Sequence, residues 1–225
     1  MIYSVAIDGP SGAGKSSMAK RIAKEFGFIY VDTGAIYRTV GLYCLENNID
    51  RRDEHAVEKA LPKIAIEMKY DEDGMQIMMM NGRNVSKDIR QPEVSIAASD
   101  VSALGACRSY LLEMQRKFAR ESSVIMDGRD IGTVVLPDAD CKIYLTASAE
   151  TRAERRMIEN REKGIDQPYE DVLKDIQYRD YQDTHREVAP LRQADDAILI
   201  DSSLMDIEET YEALCGVIRE QLCLS

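Results

Sequence analysis

Close to the start of the chain stands Gly9-Pro10-Ser11-Gly12-Ala13-Gly14-Lys15-Ser16-Ser17. Residues 9–16 fit G-x-x-x-x-G-K-[ST] in full, behind a strand-like apolar run and ahead of a helix-like one, which is the context a phosphate-binding loop needs. Glycines let successive backbone N–H groups point inward around a phosphate, and the positive end of the following helix faces the same point. Lys15 is then placed for the β- and γ-phosphates, and the Ser16 hydroxyl for Mg²⁺. Residues 9–17 are therefore candidate triphosphate-binding residues, with Lys15 also a catalytic candidate and Ser16 the candidate metal ligand. No N-K-x-D element is present to read guanine, which disfavours a GTPase.

The other side chains that could do phosphate chemistry are arginines. Arg38 and Arg129 each follow a strand-like run, so they fall at the carboxyl ends of strands, where open α/β sheets bind ligands. A guanidinium fork matches a phosphate in two-point geometry. Arg152, Arg155 and Arg156 sit at i, i+3 and i+4 of a helix-like stretch, on one face. Closed over a transferring phosphoryl group, such arginines would stabilise its spreading charge. Glu150, Glu154, Glu159 and Glu162 leave a second reading open, a salt-bridged solvated helix.

The elements that must hold these residues follow from the apolar periodicity. Tyr3 to Ile7, Phe28 to Val31, Val124 to Met126, Lys142 to Leu145 and Ala197 to Ile200 read as strands. Residues 14–26, 35–46, 108–120, 149–162, 169–183 and 206–222 read as helices. Strands alternating with helices predict an α/β fold with a five-stranded parallel sheet flanked by helices. Residues 64–85 break the rhythm. Alternation from Ile64 to Met68, a turn signal at Asp71-Glu72-Asp73-Gly74 and another at Asn81-Gly82 predict a small antiparallel meander. We read an insert over residues 60–102, with Met78, Met79 and Met80 as strand filler, and a solvated loop over Asp50 to Glu54. Lys163-Gly164 suits the hinge of a helical lid over residues 150–168.

Three further stretches, Asp32-Thr-Gly-Ala-Ile-Tyr-Arg38, Asp127-Gly-Arg-Asp-Ile-Gly-Thr133 and Arg179-x-x-x-Asp183-x-x-Arg186-x-x-Ala189-Pro-Leu191, resemble the bacterial cytidylate kinases, P-loop nucleoside monophosphate kinases. The resemblance runs from the phosphate loop to Leu191 and includes the insert. It implies an enzyme that moves the γ-phosphoryl group of ATP onto CMP, and onto dCMP, with Mg²⁺. It implies that the insert is the acceptor lobe and that Arg38, Arg129 and Arg179 grip the acceptor phosphate. Ser99, Arg108 and Asp130 would read the base, and Asp183 with Arg186 the ribose. Tyr37 and Thr33 join the CMP-binding set; Thr33 stands where some members carry serine. An aspartate suits the task at position 130 because a carboxylate accepts from the exocyclic amine of cytosine, where uracil presents a carbonyl. His185 needs no catalytic part, since a phosphate with a second pKa near 6 is already a dianion at neutral pH. Other acceptors on the same architecture, such as UMP or AMP, and a non-enzymatic nucleotide-binding module stay open as alternatives.

The bulk composition bounds the rest. The 225 residues carry 29 Lys and Arg against 40 Asp and Glu, a net charge of −11, which disfavours a nucleic acid partner. No apolar run approaches about 18 residues, so no membrane span is read, and no signal peptide precedes the first strand. The five cysteines form no C-x-x-C pair and are expected as free thiols in a reducing cytoplasm. The expected state is a cytoplasmic monomer.

Overall fold

The first strand, β1 (Ser4–Asp8), splits its side chains between two layers: Val5 and Ile7 enter one apolar cluster and Ala6 another. Such period-2 burial on both faces marks a central strand of a covered sheet. In this computed structural model, which describes residues 1–72, 76–162 and 164–224, β1 leads through the phosphate loop into α1 (Lys15–Phe26), β2 (Ile29–Asp32) and α2 (Thr33–Glu46). After an interlude come α5 (Gly105–Glu121), β6 (Val124–Gly128), β7 (Cys141–Thr146), α6 (Ala149–Glu162), α7 (Tyr169–His185), β8 (Ile198–Asp201) and α8 (Ile207–Leu222). The interlude holds α3 (Glu54–Ala60), β3 (Ile66–Tyr70), β4 (Gln76–Met80), β5 (Arg83–Asn84) and α4 (Pro92–Ser102).

The main sheet has the order β2-β6-β1-β7-β8 and every pairing is parallel. Helices α1 and α8 cover one face, burying Met18, Ile22, Leu214 and Ile218. The other face packs Ala6, Val31, Val124 and Met126 against Leu112 and Phe118 of α5. The register sets the working edge. Asp32 pairs with Asp127, and Ile7 also pairs with Asp127, so the carboxyl ends of β2, β6 and β1 lie side by side. Three aspartates stand there: Asp8 and Asp32 end β1 and β2, and Asp127 is the penultimate residue of β6.

The predicted meander is present as an antiparallel sheet in the order β3-β4-β5. Asn81 and Gly82 both take positive φ, 50° and 81°, as the tight hairpin turn between β4 and β5 requires. Met78 and Met80 are buried there as filler. The turn expected at Asp71 to Gly74 reaches past the described residues at Asp73 and Gly74, and Lys163 of the expected hinge lies outside them as well. The meander docks on the outer strand of the main sheet. Tyr70 Oη donates to Tyr30 O at 3.0 Å, and Asp32 N donates to Gln76 Oε1 at 2.8 Å.

Two elements depart from the periodicity reading. The charged stretch 50–54 is not simply a solvated loop. Asp53 accepts from Ala56 N to cap α3, Glu54 accepts from Ala106 N, and Arg51 and Arg52 pair with Asp100. Helix α4 was also not anticipated. Its buried positions, Val94, Ala97 and Val101, are two weak apolar residues around an alanine, too slight to stand out. What holds α4 is tertiary: Gly41 of α2 lets Ala97 and Ala98 approach so closely that a Cβ on it would lie 2.9 Å from each.

Candidate functional site

The phosphate loop leaves β1 through Gly9, whose φ is 147°; a Cβ there would lie 1.9 Å from Leu145 O. The loop ends at Gly14, left-handed at φ 90°, with no side chain capping α1. The first N–H groups of α1 are thus turned toward open space, as an anion would need. Lys15 is buried, and Nζ donates to Pro10 O at 2.7 Å. Burial and the Arg129 charge lower its pKa to about 7, against the pull of Asp127, Asp183 and Asp8.

A cleft of about 370 Å³ opens beside this loop. Ser11, Gly12, Gly14, Lys15, Ser16 and Ser17 line it, whereas Gly9, Pro10 and Ala13 stand behind as the scaffold of the turn. Every residue expected at the acceptor also lines it: Thr33, Tyr37, Arg38, Ser99, Arg108, Arg129, Asp130, Arg179, Asp183 and Arg186. These come from α2, α4, α5, the end of β6 and the end of α7. The fold thus gathers into one cleft residues spread over about 150 positions of sequence.

Much of the charge in the cleft is already paired. Asp130 is held by Arg108 and by Arg186 Nη2, the latter at 3.3 Å. Arg129 Nε donates to Asp183 Oδ2 at 2.7 Å. Burial alone would raise the Asp183 pKa, but the Arg129 charge and hydrogen bond outweigh it and hold it below the ordinary range. Asp32 is likewise held low by Arg38 and Arg90 despite its burial. Arg179 is different. Among the described residues no carboxylate pairs with it, and burial with the charges of Arg129 and Arg38 lowers its pKa to about 10. Among the described residues it makes no ion pair: Arg129, Arg38 and Arg156 repel it, and only the more distant Asp183 charge offsets them.

The lid arginines do not share one role. Arg156 lines the cleft, with Glu159 beside it at 3.6 Å. Arg152 turns under the phosphate loop instead, donating to Ser11 O at 3.0 Å, to Ala147 O at 2.9 Å, and to both oxygens of Asp180. Arg155 reaches away to Ser202 O and Met205 O. The three side chains, expected on one face, thus reach three different sets of partners here. A spacing of i, i+3, i+4 shares a face, but long side chains on one face can be drawn to different acceptors. His185 stacks on Tyr181, ring centroids 4.1 Å apart, outside the cleft.

Four residues of consequence were not singled out from the sequence. Asp127 is buried, accepting from Ser16 Oγ and Tyr30 Oη, both at 2.8 Å. Burial and the neighbouring Asp32 charge raise its pKa, against Lys15 and those hydrogen bonds. Asp32, Arg90 and Asp8 are the others. Asp32 and Asp127 stood inside quoted motifs and Asp8 immediately precedes the phosphate loop, so their position at strand ends was the available signal. Arg90, in a single turn of the insert, had none.

The profile of the family described as "Cytidylate kinase" matches residues 5–220. A cytidylate kinase of Lactobacillus johnsonii is 48% identical over 220 residues, covering 98% of this chain and 95% of the relative. One from Caldicellulosiruptor bescii is 50% identical over 208 residues, 92% of each chain. One from Flavobacterium johnsoniae is 48% identical over 220 residues, 96% of each. Similarity of that extent, together with a phosphate loop and an arginine-lined cleft on one parallel sheet, shows that the chain belongs to the cytidylate kinase family.

Proposed function

We propose that this protein transfers the γ-phosphoryl group of ATP to CMP and dCMP, giving ADP and the cytidine or deoxycytidine diphosphate. The observation that carries the reading is Arg179: a cation with no ion pair among the described residues, beside Arg38 and Arg129, in the same cleft as the uncapped phosphate loop. An unpaired cation at that place calls for an anion, and an acceptor phosphate supplies one.

ATP lies with its phosphates on residues 11–17, and the acceptor phosphate takes Arg38, Arg129 and Arg179. Asp130, Arg108 and Ser99 face the base; Asp183, Arg186, Tyr37 and Thr33 complete the acceptor wall. An acceptor oxygen attacks the γ-phosphorus in line and the bond to the β-phosphate oxygen breaks, with no covalent enzyme intermediate. Lys15, Arg129 and Arg156 face the charge that spreads onto the transferring group. Arg152 supports the loop from beneath, and Arg155 anchors α6 to the β8–α8 connection. No general base is required, because the acceptor phosphate is already largely a dianion. The insert over 60–102 forms the acceptor lobe and residues 150–168 the lid, whose closure excludes water.

Ser16 and Asp127 fit a Mg²⁺ ion. Mg²⁺ is bound through one or two carboxylates together with substrate phosphates, and a hydroxyl bonded to a buried carboxylate at the mouth of the loop offers that set. Bound there, Mg²⁺ would neutralise charge on the β- and γ-phosphates. One chain lines the whole cleft, so a monomer suffices. The five free cysteines suit a reducing cytoplasm, and among the described residues no helix is long and apolar enough to cross a membrane.

The test is ADP release with Mg·ATP across CMP, dCMP, UMP, AMP and GMP. Turnover with CMP and dCMP, weaker with UMP and absent with purines, is expected. A purine preference would sink the acceptor assignment.

A further inference from the structure

The two residues that face the acceptor from β6, Arg129 and Asp130, stand on a short piece of chain. Before them Gly128 has no space for a side chain; a Cβ would lie 2.6 Å from Ile131 Cδ1 and 2.9 Å from Thr33 Oγ1. After them comes a single wide turn, Ile131–Val135, closed by Val135 N on Asp130 O at 3.1 Å and Leu136 N on Ile131 O at 2.7 Å. Turns closed from residue i to i+5 are rare.

Each end of the turn is held by a charge of the opposite sign to its exposed dipole. At its start, Ile131 N and Gly132 N donate to the two oxygens of Asp8, at 2.8 and 2.7 Å. At its end, Arg116 of α5 donates Nε to Val135 O and Nη2 to Val134 O, both at 3.0 Å. The same helix α5 supplies Arg108 to Asp130. Asp8 is the last residue of β1, directly ahead of Gly9 and the phosphate loop. Burial pushes its carboxyl up to about 6, only partly offset by the two N–H bonds, so holding a charge there opposes folding. Neither Asp8 nor Arg116 lines the cleft.

We infer that Asp8 and Arg116 are positioning residues for the acceptor: they clamp the 131–135 turn at both ends and thereby set where Arg129 and Asp130 present their side chains. Asp8 ties that turn to the strand that starts the phosphate loop, so the acceptor end is referenced to the ATP end through one carboxylate. The inference rests on the proposed acceptor roles of Arg129 and Asp130.

The experiment measures KM and kcat for CMP and for Mg·ATP, with thermal midpoints, in Arg116→Ala, Arg116→Lys, Asp8→Asn and Asp130→Ala. Misplacing reacting groups by about 1 Å can cost about 10²-fold, so a loosened clamp should raise the CMP KM of Arg116→Ala about 10-fold. Its Mg·ATP KM and thermal midpoint should hold, and Arg116→Lys, with one point donor for two carbonyls, should fall between. Asp8→Asn should give the larger CMP defect; if it does not fold, Arg116 decides. An unchanged CMP KM in Arg116→Ala, while Asp130→Ala loses CMP use, overturns the clamp alone. So does a parallel rise of both KM values with a falling midpoint, which marks a merely structural residue. Survival of CMP use in Asp130→Ala would overturn the acceptor reading and the clamp with it.

Discussion

The two ends of the cleft are built on opposite plans. The proposed ATP end is nine consecutive residues, 9–17, whose backbone is shaped by a strand, a left-handed Gly14 and a helix start, so that its expected donors are mostly backbone N–H groups. The proposed acceptor end draws single side chains from α2, α4, α5, the end of β6 and the end of α7. Several of its charges are pre-paired, Asp130 with Arg108 and Arg186, Asp183 with Arg129. A backbone cradle recognises phosphate and little else, because every residue type supplies the same N–H. Side chains fixed by neighbours can distinguish one base from another, since each buried group left unpaired by the wrong partner carries a penalty. Generic recognition can therefore be local, whereas specific recognition here needs the whole fold.

This contrast can be broken in several ways. The largest effect is expected at the generic end: Lys15→Met should lower kcat by about 10³-fold with every acceptor, as for loss of a preorganised charge in a dry site. Initial rates with CMP and dCMP check it, and a loss confined to one acceptor would contradict the division. Asp130→Asn strikes the specific end. It should lower kcat/KM for CMP about 10²-fold, narrow the gap between CMP and UMP, and leave the Mg·ATP KM near its starting value. It also leaves Arg108 and Arg186 short of a counter-charge, so calorimetric unfolding should come at a lower temperature.

A smaller effect is expected where the acceptor wall is packed rather than charged. Gly41→Ala pushes α2 and α4 apart at Ala97 and Ala98. It should cost about 1–3 kcal/mol, as overpacking does, and raise the CMP KM several-fold; equal changes in both KM values would show that α4 is not specific to the acceptor end. The smallest effect is a proton. With a pKa near 7, Lys15 is largely neutral in the free protein at about pH 8. Phosphate charge favours the ammonium form, so nucleotide binding should take up part of a proton at that pH, fading toward pH 6. Titration calorimetry of Mg·ADP in two buffers of different ionisation enthalpy reads the sign, and proton release would contradict it. The same lowered pKa means that a charged Lys15 opposes folding of the free protein. That penalty should be full below pH 7, ease as pH rises from about 7 toward 10.5, and shrink once nucleotide fills the loop.

The parallel sheet was legible because its strands are apolar runs of strand length between amphipathic helices, and Asn81-Gly82 marked the hairpin of the separate antiparallel sheet through the backbone conformation it demands. Helix α4 was not, because its apolar stripe is thin and its place depends on Gly41 opposite. Residues 50–54 read as a loop because charges look solvated until Ala106 and Asp100 arrive beside them. In the cleft, the motif arginines were legible by type and order. Asp127 was not, since an aspartate within a quoted motif acquires its function only beside Ser16 and Tyr30. The partners of Arg152 and Arg155 were also illegible: helical spacing fixes a side chain's starting direction, and a flexible guanidinium then follows the nearest acceptors.

By itself, then, the sequence determined the chemistry that depends on neighbours along the chain: the phosphate loop, the strand ends, the hairpin turn, the family. Only the tertiary structure decided which charges are paired, that Arg179 makes no ion pair among the described residues while Asp130 has two guanidiniums, and that Asp8 and Arg116 hold the same turn. Ionic pairing and desolvation depend on distances across the fold, between residues from 18 to 124 positions apart, and no spacing along the chain encodes those distances.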